Sequence, residues 1–231
     1  MHPQIPLPFK LQDDFNFNNF TVGENPLIIK TLQVLNEPFV FLWGENSVGK
    51  THLLQAACQL KTQQGETASY LPLRDLHTLP PAILEGMSSL NLVCIDDIDA
   101  IGGKANWEEA LFNLFNQIKE AGGRLIISAS NTPEESNLAL KDLTSRLNSG
   151  LCLHLLPLDD ANTISVLQDR AKKLGLELNQ DTANYLITRF PRDLHTLWQL
   201  LDQLDKASLA AQRKLTIPFL KTTLQGTLTT T

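Results

Sequence analysis

A glycine-rich segment near residue 50 carries the clearest chemical pattern in this chain of 231 residues. Residues 44–51 read GENSVGKT and match the G-x-x-x-x-G-K-[ST] pattern of a phosphate-binding loop, or P-loop. Such a loop binds phosphate through its backbone N–H groups and through the N-terminus of the helix that follows it. Its lysine reaches the β- and γ-phosphates, and its hydroxyl residue ligates Mg²⁺. We therefore predict that ADP or ATP binds at Gly44, Glu45, Asn46, Ser47, Val48, Gly49, Lys50, Thr51 and His52.

Two acidic residues after an apolar run predict the metal-binding part of the same site. Residues 92–95, LVCI, lead directly into Asp96 and Asp97. A P-loop needs a carboxylate at the end of a neighbouring strand, which holds Mg²⁺ through water. We predict that Asp96 and Thr51 hold the metal and that Asp97 positions the attacking water or acts as its base. Without the P-loop, an apolar run that ends in two aspartates is more often a strand followed by an ordinary turn.

Other polar residues stand where they could contact phosphate. Ser130 and Asn131 follow a predicted strand, and a phosphate contact explains them as well as a plain turn does. Arg146 ends a predicted helix, and from the residues alone a solvated charge is its more common role. Arg192 falls in the first turn of a helix that Pro191 is predicted to open. A cation there opposes the helix dipole. A phosphate ligand would explain the arginine, and we give equal weight to its having no such role.

Strands and helices alternate along the chain up to residue 156. Short apolar runs predict strands at residues 39–43, 68–71, 92–95, 124–128 and 152–155. Helical patterns lie between and beside them at residues 26–35, 52–64 and 107–121, with a short helix closed by residues 145–147. After Pro157 the patterns are helical, at residues 161–174, 180–188, 191–211 and 217–224, apart from a short strand-like stretch at 214–217. Such alternation predicts a parallel α/β sheet.

This pattern divides the chain into three parts, namely an extended proline-rich tail at residues 1–10, a nucleotide-binding α/β domain at 11–156 and a helical lid domain at 157–231.

The net charge is −6, and the acidic excess lies in residues 1–156, which argues against independent DNA binding. No apolar run reaches the ~18 residues of a membrane span, and residues 1–10 show no signal-peptide pattern. The three cysteines lie far apart, which predicts buried free thiols in a cytoplasmic protein.

The order of these motifs resembles the AAA+ ATPases and, among them, the clade of the replication initiator DnaA. The resemblance extends over roughly residues 12–225 and rests on NNFTVG at 18–23, KTHLL at 50–54, IDDI at 95–98 and LTSRL at 143–147. It implies a P-loop AAA+ domain with a three-layer parallel sheet, followed by a small all-helical lid. By position, it implies that Arg146 is an arginine finger for the nucleotide of a neighbouring subunit. It likewise implies that Arg192 is a lid residue that senses this chain's own nucleotide.

Three residues depart from the clade's pattern. Ser47 replaces a glycine that is usual in the DnaA loop, which bears on the phosphate contacts. Asp97 stands where many AAA+ ATPases carry glutamate, which implies weak or no hydrolysis by this chain itself. Ser130 stands where DnaA carries aspartate, which leaves the role of Ser130 and Asn131 open.

Two further features resemble one branch of the clade, the Hda family of DnaA-homologous regulators. Residues 4–9, QIPLPF, resemble the peptide by which replication proteins bind the sliding clamp, with Gln4, Leu7 and Phe9 as anchors. Residues 201–208 and 211–217 resemble the Hda lid, after which no counterpart of the DNA-binding domain of DnaA follows.

The Hda resemblance implies a regulator that acts together with the DNA-loaded clamp, the β subunit of DNA polymerase III. Such a regulator stimulates hydrolysis of the ATP bound to DnaA, and so it negatively regulates the initiation of DNA replication. It contacts DNA only through the clamp and associates with the nucleoid through its partners.

Two rival functions fit the same residues. A self-standing AAA+ ATPase that loads replication proteins would also keep Lys50, Thr51 and Asp96. A non-catalytic adaptor would join clamp and initiator, with the nucleotide as a structural element. The sequence leaves open the preference for ADP or ATP, the chain's own hydrolysis rate, whether Arg146 faces a partner's nucleotide, and whether the chain forms a homo-oligomer.

Overall fold

The computed structural model of the chain describes residues 11–34, 37–211 and 215–224. The predicted tail at residues 1–10, with the predicted clamp anchors Gln4, Leu7 and Phe9, lies outside the described residues. The chain divides into two compact units, Met1–Leu156 and Pro157–Thr231. None of the helices in the described part combines the length and apolar content that crossing a membrane requires.

The first unit is built on a five-stranded sheet with the strand order β2-β3-β4-β1-β5. The strands are β1 Phe39–Trp43, β2 Ala68–Pro72, β3 Leu92–Asp96, β4 Arg124–Ala129 and β5 Leu151–His154. All four neighbouring pairs are parallel, with Val40 opposite both Ile126 and Leu151 in the middle of the sheet. The predicted parallel α/β sheet is therefore confirmed. Because all strands run the same way, their carboxyl ends and the loops that follow lie along one edge.

Helices follow the strands and cover the sheet. They are α1 Pro26–Gln33, α2 Lys50–Gln63, α3 Leu73–Leu76, α4 Ala105–Ala121 and α5 Lys141–Asn148. Short 3₁₀ helices occupy residues 17–19, 81–84, 87–89, 98–101 and 133–135. The one-turn helix α3 was not predicted, because four residues are too few to show a helical period.

The central strands are apolar on both sides because each side packs into a separate core. Phe41, Val93 and Ile127 belong to a cluster with residues of α4 and α5. Leu42, Cys94 and Ile126 point to the opposite face and pack with residues of α1 and α2. Helices on both faces of a parallel sheet make the three-layer arrangement that was expected.

The edge strand β5 corrects one expectation. Cys58 and Cys94 are buried free thiols as predicted, whereas the free thiol of Cys152 is exposed. β5 pairs only with β1, so one long side of this strand has no strand neighbour in the sheet. Burial of an apolar run therefore depends on the position of its strand in the sheet.

The second unit is helical in its described residues. Its helices are α6 Asp160–Lys173, α7 Gln180–Arg189, α8 Leu194–Ala211 and α9 Ile217–Leu224. Side chains of Asp159, Asn179 and Asp193 each accept a hydrogen bond from the backbone N–H three residues later, which caps α6, α7 and α8. A core of leucine and isoleucine residues joins the four helices.

Two predictions about the second unit are wrong. Helix α8 begins at Leu194, because the Asp193 carboxylate caps it, and Arg192 therefore precedes the helix. The dipole argument for Arg192 does not apply at that position. Leu215 and Thr216 form no strand, and Ile217 already belongs to α9.

Candidate nucleotide-binding site

The predicted P-loop connects the end of β1 to the start of α2, at the carboxyl edge of the sheet. α2 begins at Lys50, directly after Gly49, which has a left-handed backbone with φ of 106°. At Gly44, an added Cβ would lie 2.5 Å from the carbonyl oxygen of Leu155, so only glycine fits between the loop and the residue that follows β5. Sequence and structure agree on a loop that opens a helix, the arrangement that presents N–H groups to an anion.

Ser47 adopts the conformation that a glycine would adopt freely. Its φ is 63°, in the left-handed region, where a non-glycine residue costs about 1–2 kcal/mol. The serine that replaces the glycine of the DnaA pattern therefore adds backbone strain to the loop. Backbone strain of this kind concentrates at binding and catalytic sites.

Lys50 is a buried cation whose hydrogen bonds go to uncharged groups. Its side-chain nitrogen donates to the carbonyl oxygens of Gly44 at 2.7 Å and Glu45 at 2.8 Å. The residue is 6% exposed, and among the described residues no carboxylate lies within 4.0 Å of its nitrogen. Burial lowers the pKa of Lys50, while Asp97 and Asp96 act in the opposite direction. A phosphate beside this nitrogen would supply the negative charge that the protein does not place there.

Asp96 lies at the end of β3 and accepts hydrogen bonds from three hydroxyl groups. One carboxylate oxygen accepts from Thr51 at 2.6 Å and from Tyr70 at 2.8 Å. The other oxygen accepts from Ser128. Burial, followed by the charge of Asp96, raises the pKa of Tyr70, so its hydroxyl keeps its proton and donates. The structure therefore brings together Thr51 and Asp96, the two predicted metal residues.

These oxygen groups fit Mg²⁺. Because the Thr51 hydroxyl donates its hydrogen bond to Asp96, the lone pairs of its oxygen remain for a cation. Mg²⁺ prefers oxygen ligands and is usually held by one or two protein groups together with phosphates and water. Within the described residues, no group of three or more histidine, cysteine or acidic side chains is placed to hold a metal ion. The assignment of Thr51 and Asp96 to the metal remains a prediction.

Asp97 turns away from the strand through a left-handed backbone with φ of 57°. Its backbone N–H donates to the Ser128 hydroxyl at 3.0 Å, and its carboxylate lies 3.2 Å from the Arg74 guanidinium. Burial and then the charge of Asp96 raise the pKa of Asp97, while Arg74 and Lys50 lower it. The predicted water-positioning carboxylate is thus engaged by an arginine of α3.

His52 contacts the segment that precedes α1. Its Nε2 lies 2.8 Å from the carbonyl oxygen of Asn16, and its ring stacks on Phe15 with centroids 4.8 Å apart. Phe20 approaches the same ring edge-on at 5.3 Å. Burial lowers the pKa of His52, so the neutral ring is favoured. The predicted nucleotide contact of His52 remains a prediction, and its described partners belong to residues 15–20.

The remaining predicted residues lie in different places. Ser130 donates its backbone N–H to Asp99 at 2.6 Å, and Asn131 is exposed. Arg146 lies in the last turn of α5, with its guanidinium carbon 6.0 Å above the ring of Phe112. It forms no ion pair within residues 11–34, 37–211 and 215–224.

Arg192, in the second unit, is exposed and pairs with Asp160 of the same unit at 2.8 Å. Its role as a sensor remains a prediction.

Sequence reasoning missed three side chains around the acidic pair, namely Tyr70, Ser128 and Arg74. Tyr70 and Ser128 are polar residues near the carboxyl ends of strands, and that placement is a detectable signal once neighbouring strands are known. Arg74 follows β2 in a helix of one turn, and nothing in its local sequence marks it.

Two family models match adjacent parts of the chain. A model of the bacterial DnaA ATPase domain matches residues 81–154. A model described as the lid domain of Hda matches residues 160–224.

Solved structures resemble the chain over most of its length at low sequence identity. Domain III of DnaA from Thermotoga maritima has a TM-score of 0.84 at 21% identity, covering 96% of this chain and 100% of that one. AMPPCP-bound DnaA from Aquifex aeolicus has a TM-score of 0.73 at 23% identity, covering 86% and 67%. The RuvB Holliday junction branch migration motor of Thermotoga maritima has a TM-score of 0.71 at 15% identity, covering 91% and 71%. At these identities the likeness establishes the fold, an AAA+ α/β domain with a helical lid.

Proposed function

Because this chain is an AAA+ protein of the DnaA and Hda clade, we propose that it is a nucleotide-bound regulator of the initiator DnaA. Together with the DNA-loaded sliding clamp it stimulates hydrolysis of DnaA-bound ATP and thereby negatively regulates replication initiation. The observation that carries this proposal is the match of residues 160–224 to the lid domain of Hda. The AAA+ fold alone is shared with DnaA and RuvB and does not distinguish a regulator from an initiator or a motor.

The chain's own nucleotide binds at the P-loop in this proposal. Lys50 contacts the phosphates, and the Thr51 hydroxyl and the Asp96 carboxylate hold Mg²⁺. A nucleotide with Mg²⁺ supplies the negative charge beside Lys50 and the additional oxygen ligands that the metal needs. The Aquifex aeolicus DnaA structure with bound AMPPCP supports an adenine nucleotide, ADP or ATP.

Slow turnover by the chain itself is part of the proposal. Asp97 carries one methylene fewer than the glutamate usual in AAA+ ATPases, and its carboxylate pairs with Arg74 at 3.2 Å. Arg74 holds one oxygen of this carboxylate, which leaves the side chain fewer positions from which to accept a hydrogen bond from an attacking water. The residues that bind nucleotide and metal can therefore be complete in a protein that hydrolyses ATP poorly.

Arg146 is the residue that acts on DnaA. It lies on the first unit in a half-buried position, and its side chain packs over Phe112 without a carboxylate partner among the described residues. An arginine that is ordered by packing and not neutralised can be presented to a partner's phosphates. An arginine supplied in trans accelerates hydrolysis by about 10³–10⁵-fold in GTPases.

The clamp contact is assigned to the tail, residues 1–10, with Gln4, Leu7 and Phe9 as anchors, and it rests on the sequence pattern alone. Residues 11–156 are the nucleotide-binding domain, and residues 157–231 are the lid, where Arg192 senses the bound nucleotide. The protein is cytoplasmic, contacts DNA only through the clamp, and is associated with the nucleoid through its partners.

The experiment is single-turnover hydrolysis of radiolabelled ATP pre-bound to DnaA. The protein is added with and without clamp loaded on DNA. Acceleration is expected only when protein, clamp and DNA are all present. Absence of acceleration in every combination would overturn the proposal.

Arg146→Ala should reduce the stimulation at least about 100-fold while nucleotide affinity and clamp binding stay unchanged. Arg189→Ala is the matched control, because Arg189 also lies in the last turn of a helix and is exposed. Stimulation that survives in Arg146→Ala would refute the finger assignment. Replacement of Gln4 and Phe9 by alanine should abolish clamp binding and leave nucleotide affinity intact.

The complete set of Lys50, Thr51 and Asp96 favours, as a second candidate, a self-standing ATPase that loads replication proteins. Steady ATP turnover by the chain without DnaA and clamp would support that candidate. Clamp binding without any effect on DnaA-bound ATP would instead indicate a non-catalytic adaptor between clamp and initiator.

A further inference from the structure

Glu108 on α4 is a fully buried acidic residue with 0% exposure. Its carboxylate accepts three backbone hydrogen bonds, from Gly103 at 2.7 Å, Leu140 at 2.6 Å and Ala139 at 3.1 Å. No cation pairs with it among the described residues. Charge-assisted bonds from backbone N–H groups therefore compensate its burial. A buried charged group is often no more stabilising than well-packed apolar residues of similar volume.

The three N–H groups belong to two segments that lead to different parts of the proposed machinery. Gly103 belongs to the segment that joins the acidic pair Asp96 and Asp97 to α4. Ala139 and Leu140 directly precede α5, and Leu140 is the N-cap residue of that helix. No side chain caps α5, and the Glu108 carboxylate instead holds the backbone of its N-cap residue from the neighbouring helix α4.

The same two segments touch at other points between the acidic pair and α5. The Asp99 carboxylate accepts the backbone N–H of Ser130 at 2.6 Å. At Gly102, an added Cβ would lie 3.2 Å from the carbonyl oxygens of both Ser136 and Asn137, so the backbones are in close contact there. A continuous set of contacts therefore runs from the acidic pair to the first turn of α5, and Glu108 closes it.

We infer that Glu108 is a positioning residue for Arg146, which lies six residues after Leu140, in the last turn of α5. By holding the start of α5 against the segment after Asp96 and Asp97, Glu108 places the arginine relative to this chain's own nucleotide site. The role rests on the proposed function of Arg146. Misplacement of a reacting group by about 1 Å can reduce a rate about 100-fold, so an anchor of this kind matters for the rate of hydrolysis.

Glu108→Gln tests this role with little change in side-chain volume. The carboxylate oxygen Oε1 accepts from Gly103 and Ala139, whereas Oε2 accepts only from Leu140. The glutamine amide keeps most hydrogen bonds when its oxygen replaces Oε1, which places its NH₂ group against the N–H of Leu140. Glu109→Gln is the matched control, because Glu109 is the next residue of α4 and is exposed.

Two measurements are made on the full chain of both variants and the wild type. Residue-resolved amide hydrogen exchange should show faster exchange at Leu140 in Glu108→Gln, by about tenfold, with Gly103 protected as before. The rate of DnaA-bound ATP hydrolysis is then measured against the concentration of the protein, with clamp loaded on DNA. The plateau rate should fall at least about tenfold in Glu108→Gln, and the half-saturating concentration should stay unchanged. Glu109→Gln should match the wild type in both measurements.

Each result has a defined meaning. An unchanged plateau rate in Glu108→Gln overturns the positioning role. A raised half-saturating concentration with the wild-type plateau rate overturns it too, because that result indicates only a loss of folded protein. Unchanged exchange at Leu140 overturns the anchoring step. A wild-type protein that gives no stimulation overturns the proposed function, and the positioning role with it, before any variant is compared.

Discussion

Replacement of Gly49 by alanine tests whether the P-loop is shaped by its contact with the segment that precedes α1. The added Cβ would lie 2.7 Å from the ring carbon Cε2 of Phe20, where ordinary carbon contacts are about 3.5–4.0 Å. The ring, which contacts His52 edge-on, must therefore move by roughly 0.8 Å or more. In addition, φ of 106° is a conformation that alanine rarely adopts.

The magnitude follows from two terms. A left-handed backbone costs alanine about 1–2 kcal/mol, and overpacking costs about 1–3 kcal/mol. We therefore expect Gly49→Ala to lower the free energy of unfolding by about 2–5 kcal/mol. Gly65→Ala is the control, because Gly65 has φ of 79° and an added Cβ meets nothing within 4 Å. The entropy that alanine removes from the unfolded chain is common to both variants, so their difference of about 1–3 kcal/mol reports the Phe20 contact.

The assay is urea unfolding followed by tryptophan fluorescence in a Trp198→Phe background. This background leaves Trp43 and Trp107, which both lie in the first unit, as the reporters. Phe20→Leu is combined with Gly49→Ala in a double-mutant cycle, and the smaller side chain should remove most of the extra cost. Equal destabilisation by Gly49→Ala and Gly65→Ala would refute the reasoning. If the extra destabilisation by Gly49→Ala persists when Phe20→Leu is also present, it comes from the backbone of residue 49 and not from the Phe20 ring.

Burial lowers the pKa of His52 below its ordinary 6.5, so the unfolded chain binds this proton more tightly than the folded chain. The stability that His52 contributes as a neutral ring is complete above pH 6.5 and is lost as the pH falls towards the folded pKa. Urea unfolding at about pH 7.5 and about pH 5.5 should therefore show a smaller loss of unfolding free energy on acidification in His52→Gln than in wild type. The control His195→Gln, which changes an exposed histidine, should lose as much as wild type. Lys50→Met should leave the Tm without nucleotide unchanged or higher, because it removes a buried ammonium that has only carbonyl partners. The same variant should abolish the rise in Tm caused by excess Mg-ADP. A Tm of Lys50→Met that still rises with Mg-ADP would contradict the assigned phosphate contact.

Much of the architecture could be predicted because its causes are local. The apolar run at residues 39–43, bounded by Pro38 and Gly44, predicts β1 with the bounds that the structure shows. The P-loop pattern then requires a helix, and α2 begins at Lys50, inside the pattern. Where two local signals compete, the prediction was wrong. Pro191 suits the first turn of a helix, and it predicted a helix that begins at residue 191. The Asp193 side chain instead accepts from the backbone N–H of Thr196 and caps α8, which therefore begins at Leu194.

The sequence alone determined the types of chemistry available, because the lysine, the hydroxyl and the carboxylates of the nucleotide site stand in short contiguous patterns. Only the tertiary structure decided which groups meet. Asp96 gathers hydroxyl groups from α2, β2 and β4, and Glu108 joins two loops more than 30 residues apart. These contacts depend on the strand order and on burial, because most polar groups in a protein interior are hydrogen-bonded to whatever chain lies beside them. The same cause exposes Cys152 and buries Cys94, two cysteines in similar apolar runs, because one strand lies at the edge of the sheet and the other inside it.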